Sequence, residues 1–356
     1  MKHIFYLIMS LMVCTGTSAA EPQTAAQELI QRLKAIQKKG MMVGHQDDPV
    51  YGMNWKWEKG RSDVKEVCGD YPAVMGFELG GLELGRETSI DRVPFARIRE
   101  EIVDQHLRGG ISTISWHPFN PATGESAWDP SGNAVKEVLE GGAQYEKFAK
   151  WLDMMASFLN SLKTPDGKKV PVIFRPWHEM SGGWFWWGTE DTTPEQFKQL
   201  FVYTYEKLTK EHGCDHLVWS YSPNTGYKDY MEHYPGDEYV DLLGIDIYDF
   251  DHNNDKYTAS VRHDLTELTR IGKEHGKLIA LTETGSQRLP DPNWFTQVFW
   301  EAVKDFPISY TLWWRNAWDT PKEVYMSAPG HPTERDFRKF AKLKKTLFVK
   351  DIRKIK

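Results

Sequence analysis

Residues 170–188, VPVIFRPWHEMSGGWFWWG, decide how this chain folds. They open as an apolar run, Val170, Val172, Ile173 and Phe174, and then present Arg175, His178 and Glu179 before a glycine pair and an aromatic run. A strand that is apolar throughout is buried on both faces, as in a parallel sheet. When such a strand ends in ionisable groups, it delivers them at the C-terminal end of a parallel barrel. Taken alone, the stretch reads equally well as a core strand with an aromatic loop behind it. The other strand ends decide between the two readings.

Working outward, seven more apolar runs end in polar or aromatic groups. Residues 41–44 lead into His45, Gln46, Asp47 and Asp48; 73–77 end in Glu78 and a glycine pair; 111–115 lead to Trp116, His117 and Phe119. Residues 216–221 lead to Ser222, Pro223 and Asn224; 242–247, which contain Asp246, lead to Tyr248 and Asp249. Residues 277–282 end in Glu283, and 309–313 in Trp314, Arg315 and Asn316. Helical spacing of apolar residues predicts helices over 24–39, 93–107, 144–162, 194–211, 258–275, 294–306 and a closing one over 334–347. Eight strands in βα alternation, with no flexible linker, predict a single-domain α/β protein, a (β/α)8 TIM barrel over 21–356, with its site at the strand C-termini.

The chain carries 15 Trp, 15 Tyr and 17 Phe, more rings than a core needs, which points to rings lining a cleft. The C–H face of a pyranose stacks on such planes. A net charge of -6 offers no basic stripe to neutralise phosphates, which argues against a nucleic-acid partner. Lys2 and His3, the apolar run 4–13 and the small residues 15–20 read as a cleaved export signal over 1–20, too short to span a bilayer as a helix. The product is then periplasmic or secreted. Cys14 as a lipid acceptor is the lesser reading, since Val13 before it is bulky. The mature chain keeps Cys68 and Cys214, which read as free thiols.

Glu179, ending the fourth strand, and Glu283, ending the seventh, can face one another across a barrel mouth. A retaining glycosidase needs two carboxyls about 5 to 5.5 Å apart, one to protonate the leaving oxygen and one to attack the anomeric carbon. The competing reading makes Glu283 an ion-pair partner of Arg175. His178 beside Glu179 lacks the second histidine of a zinc helix, so no metal is expected there. The run Asp249, Asp251, Asn253, Asp255 imitates a calcium loop, but Asn254 stands at the glycine position and Ser260 at the closing glutamate, so a polar active-site loop is expected. No serine-nucleophile elbow and no phosphate or dinucleotide loop is present.

Together the segments GHQDD, SWHPFNP, FRPWHEMSGGWFWWG, GIDIYD, LTETG and LWWRN, in that order, resemble the β-mannanases of glycoside hydrolase family 26 over essentially the whole mature chain. The resemblance implies retaining hydrolysis of β-1,4-mannosidic linkages in mannan, glucomannan or galactomannan, with no cofactor, by a monomer. Carried over by motif, Glu179 is the acid/base and Glu283 the nucleophile. Tyr248 bonds Glu283, His178 sits beside the reactive sugar, and His117, Trp184, Trp314 and Arg315 hold sugars. Trp116, Phe119, Trp128 and Asp246 match the binding positions less tightly. Trp177, Trp184 and Trp186 are expected to surround Glu179 and keep it protonated, while Tyr248 and His178 support the anion of Glu283.

Three other readings stay open. Residues 80–92 follow the second strand and can wall off one end of the cleft, which fits a mannobiose-releasing exo action. A member of the same family acting on xylan or mixed-linkage glucan is a second reading, and a carbohydrate-binding barrel without activity is a third.

Overall fold

The computed structural model describes residues 23–355. The predicted signal 1–20, with Cys14, lies outside the described residues. Eight parallel strands form the barrel: β1 (Met41–Gln46), β2 (Val74–Glu78), β3 (Ile111–Trp116), β4 (Val172–Pro176), β5 (Leu217–Tyr221), β6 (Leu242–Asp249), β7 (Leu278–Ser286) and β8 (Tyr310–Trp313). Each pairs with the next, and β8 closes on β1, from Met42 opposite Tyr310 to His45 opposite Trp313.

Alternation along the strands sorts side chains into two clusters. Met42, Val74, Ile111, Ile173, Val218, Leu242, Leu278 and Leu312 meet around the barrel axis. Their neighbours, such as Val43, Ile114, Val172, Phe174, Leu243 and Ile279, pack outward against the helices. Helix α1 (Ala25–Gln37) stoppers the bottom of the barrel: Leu29, Leu33 and Ile36 join the inner cluster, and Thr24 caps it by accepting the Gln27 N–H while Gln27 accepts that of Thr24. Higher up the axis the inward positions turn polar, with Thr113, Arg175, Ser220, Asp246 and Thr282 all buried. Apolar burial thus fixes the bottom, and chemistry is left for the top.

Several predicted elements end differently. The last helix stops at Phe340; Thr346–Leu347 then runs parallel to Met41–Met42 before a short helix, Val349–Ile352. The helix predicted over 258–275 starts earlier, at Asn254, because the Asn253 side chain caps it by accepting the Lys256 N–H. Part of the expected polar loop is therefore its first turn. The helix starting at Pro194 widens into a π-type turn over Glu206–Glu211, and that predicted over 294–306 resolves into such a turn, Phe295–Phe299, and an α segment, Trp300–Val303. Cys68 and Cys214 are free. Among the described residues no helix is long and apolar enough to cross a membrane.

Candidate active site

Two breaks in strand alternation build the site. From Ile173 and Arg175, alternation would carry Trp177 inward. Instead Trp177 and Glu179 both adopt left-handed backbone, with φ of 55° and 54°, a conformation that costs on the order of 1–3 kcal/mol for a non-glycine residue. The turn sends Trp177 out among the helices, where its indole N–H donates to Thr204 Oγ1 at 3.1 Å. It leaves His178 and Glu179 at the barrel mouth. The Glu179 N–H to the Ser222 carbonyl (2.7 Å) and the Trp187 indole to the His178 carbonyl (2.8 Å) hold it in place.

The second break is a bulge in β7. Ile245 lies opposite Leu281, but the next residue of β6, Asp246, lies opposite Glu283; against β8 the register likewise gains one residue between Leu281 and Thr284. Thr282 faces inward, bonded to Asp246 and Ser222. Strict alternation would turn Glu283 outward, and the extra residue brings it back to the mouth. The apolar run 277–282 carries no sign of this bulge, and Gly285, two residues after Glu283, is the one strand-breaking residue near it.

Between these groups lies a cavity of about 500 Å³ lined by His117, His178, Glu179, Asn224, Thr225, Glu283 and seven aromatic side chains. The aromatic side chains are Trp128, Trp184, Phe185, Tyr248, Phe250, Trp314 and Tyr325. Trp128 and Trp184 present 52% and 38% of their surface to solvent, enough ring face to stack on a sugar, and Trp128 is stacked over His117. Glu179, Asp246 and Glu283 each place a carboxylate oxygen within 4.8 Å of the others. Such a set attracts a cation, and the protein supplies one: Arg175 donates to Asp246 at 2.8 Å and to Glu283.

The two glutamates sit in opposite surroundings. Glu283 receives Arg175 on one oxygen and the Tyr248 hydroxyl, at 2.7 Å, on the other. Among the described residues Glu179 accepts only the Trp184 indole N–H, at 2.8 Å. Burial, and then the carboxylates of Asp246 and Glu283, raise its pKa well above the ordinary carboxylate range. Burial, with Arg175 opposing and Glu283 adding, pushes Asp246 up to about 7. Tyr248 is raised by burial and by Glu283 and Glu179, so its hydroxyl keeps its proton and donates.

Of the residues singled out from sequence, Glu179, Glu283, His117, His178, Trp128, Trp184, Tyr248 and Trp314 meet in this cavity. Trp116 does not: it faces outward with Ile114, and its indole donates to Glu83. Asp246 points inward but lies beneath the mouth, held by Arg175, Ser222 and Thr282. Phe119 carries the Arg86 guanidinium over its ring, and Arg315 is held by Asp91 and Glu323; neither lines the cavity. Trp177 and Trp186 are packed outward, Trp186 donating to the Pro118 carbonyl, so the burial of Glu179 is not a sheath of these indoles. His178 bonds His117 rather than Glu283. The ion pair of Arg175 with Glu283 coexists with the facing carboxylates, so the two sequence readings of Glu283 are not alternatives. Sequence reasoning missed Phe185, Thr225, Phe250 and Tyr325. Phe250, exposed two residues after Tyr248 and stacked on it, was visible as a strand-end aromatic. Tyr325 sits in a long irregular segment after β8 and packs on Gly285, where a Cβ would stand 2.5 Å from its ring.

The family model for glycosyl hydrolase family 26 matches residues 18–299. The chain is 32% identical to a mannan endo-1,4-β-mannosidase of Bifidobacterium adolescentis over 90% of this chain, though it spans only 34% of that protein. It is 30% identical to a mannan endo-1,4-β-mannosidase of Bacillus subtilis, over 75% of this chain and 73% of that one. Among solved structures, a GH26 β-mannanase from Bacteroides ovatus superposes with a TM-score of 0.90 at 42% identity, covering 93% of this chain and 98% of that chain.

Proposed function

We propose, from the premise that this chain belongs to glycosyl hydrolase family 26, that it hydrolyses internal β-1,4-mannosidic bonds of mannan, glucomannan or galactomannan with retention of configuration. The observation that carries the reading is the pair Glu179 and Glu283, with oxygens within 4.8 Å across the barrel mouth and contrasting surroundings. That separation suits direct attack by one carboxylate; placing a water between sugar and base takes about 6.5–9.5 Å. In the first step a Glu283 oxygen bonds to the anomeric carbon as the glycosidic bond breaks, and Glu179 gives its proton to the leaving oxygen. In the second, water bonds to that carbon, Glu179 takes the water's proton, and the Glu283 ester is released. The exposed rings of Trp128, Trp184 and Phe250 hold the flanking sugars. The similar proteins named above carry the choice of mannan and of internal cleavage. The segment 1–20 is assigned as an export signal and the mature enzyme as a monomer. A panel of mannan, xylan and mixed-linkage glucan with product analysis over time tests the reading. Mixed mannooligosaccharides at early times are expected; exclusive early mannobiose, or preference for another polysaccharide, overturns it.

A further inference from the structure

Glu78 ends β2 beside the cleft, and all four lone-pair positions of its carboxylate are engaged. One oxygen accepts the N–H of Gly80 at 2.6 Å and of His117 at 2.8 Å. The other accepts the Ser115 hydroxyl at 2.6 Å and lies 2.7 Å from His117 Nδ1. Glycine is required at position 80 for this approach, since a Cβ there would stand 2.4 Å from the His117 carbonyl oxygen. A carboxylate only accepts, so His117 Nδ1 carries a proton. On the far side of the ring, His117 Nε2 faces His178 Nε2 at 2.9 Å, and two such nitrogens share one proton. His178 Nδ1 is buried without a hydrogen-bond partner among the described residues, on a residue that lines the cleft.

Three proton patterns satisfy these contacts. If His117 is an imidazolium, it donates to His178 Nε2, and neutral His178 keeps its proton on Nδ1. If His178 is the imidazolium, its Nε2–H donates to neutral His117 and its Nδ1 is again protonated. If both rings are neutral, the His117 proton points at Glu78, His178 Nε2–H donates to His117, and His178 Nδ1 is bare. The surrounding charges select the first. His117 faces Glu78 from β2, with Glu283 of β7 and Asp91 of the loop after β2 farther off; burial opposes its cation, but these carboxylates hold its pKa above the usual value. His178 faces Arg175 of β4 and His117; burial and these two cations keep it neutral.

We propose that Glu78 is a positioning residue that acts through His117 to hold His178 as the Nδ1–H tautomer, so that His178 presents a hydrogen-bond donor to the saccharide. This rests on the cleft being a glycosidase site. Loss of one proton from the ring pair reverses the donor: the proton leaves His178 Nδ1 while the shared one passes from His117 Nε2 to His178 Nε2. Glu78→Gln separates charge from shape. Its amide oxygen belongs under the Gly80 and His117 N–H groups, so its NH2 donates to His117 Nδ1, and His117 becomes neutral with its proton on Nε2.

The test is two-bond 1H–15N spectroscopy of histidine-labelled wild type and Glu78→Gln, without saccharide, with His178→Asn to assign the signals. Near pH 6.5 the wild type should show His117 protonated on both nitrogens and His178 on Nδ1. Raising the pH until His117 loses its proton should move the His178 proton to Nε2. In Glu78→Gln, His117 should carry one proton, and the His178 proton should stay on Nδ1 throughout. A His178 proton on Nε2 in the wild type near pH 6.5, a singly protonated His117 there, or a doubly protonated His117 in Glu78→Gln overturns the proposal. The spectra do not depend on turnover, so mannan hydrolysis by the same wild-type sample tests the glycosidase reading separately.

Discussion

The two ends of the barrel are built on opposite principles. At the bottom, Leu29, Leu33 and Ile36 of α1 fill the axis against Met42, Val74, Val218 and Leu312, and strand alternation is obeyed. At the mouth and just beneath it, three carboxylates crowd within 4.8 Å beside Arg175, two residues sit in left-handed backbone, and a bulge interrupts β7. The bottom is stabilising, whereas the mouth holds strain and buried charge in place for chemistry. Substitutions at the two ends should therefore separate activity from stability.

The largest effect is expected at Glu283. Glu283→Ala removes the attacking carboxylate and leaves Arg175 and Tyr248 facing a void, so turnover on mannan should fall by more than about 10⁴-fold with the far-ultraviolet circular dichroism unchanged. Loss of less than tenfold would remove Glu283 from the mechanism. Leu33→Ala makes the reverse change. Truncating a fully buried plug residue should cost roughly 2–5 kcal/mol in denaturant unfolding, while kcat of the folded enzyme stays within about twofold. A large kcat effect there would mean that the two ends are mechanically coupled.

Glu179→Gln should divide the two properties within one residue. Because burial raises the Glu179 pKa in the folded state, its contribution to stability is full below the unfolded value, about 4.3, and is lost as pH rises through the folded value. The amide has no such loss. The variant should gain about 2–4 °C in melting temperature over the wild type near pH 8, with a smaller difference near pH 5, while activity drops about 10²- to 10⁴-fold. An equal difference at both pH values would show that Glu179 does not titrate as described. The smallest change belongs to Trp184→Phe. Removing the indole N–H that favours the Glu179 anion raises the pKa further, so the alkaline limb of kcat/KM should move up by a fraction of a pH unit. Movement downward would contradict the hydrogen bond.

Most of the fold was legible in the sequence because eight apolar runs with polar ends repeat one physical pattern. The cleft was legible in part, and the misses have identifiable causes. Trp116 was readable as outward by parity with Ile114, as was the inward position of Asp246 two residues above Gly244. The outward swing of Trp177 was not, because it follows from left-handed backbone at a residue that rarely adopts it. Nor was the inward turn of Glu283, which depends on a bulge between Leu281 and Glu283, a span without glycine or proline, the nearest glycine being Gly285. The stop at Phe340 and the pairing of Thr346–Leu347 with β1 depend on tertiary contact that helical spacing over 334–347 conceals. The alternation rule thus holds where packing alone is at stake, and both of its failures carry one of the two facing carboxylates.

The anomeric form of the first product tests the pairing of Glu179 with Glu283 most directly. Proton NMR recorded within the first minutes of mannooligosaccharide hydrolysis, before mutarotation, should show the newly formed reducing end as the β-anomer, as double displacement through Glu283 requires. Initial appearance of the α-anomer would mean single displacement by water, and would contradict the assignment of Glu283 as nucleophile.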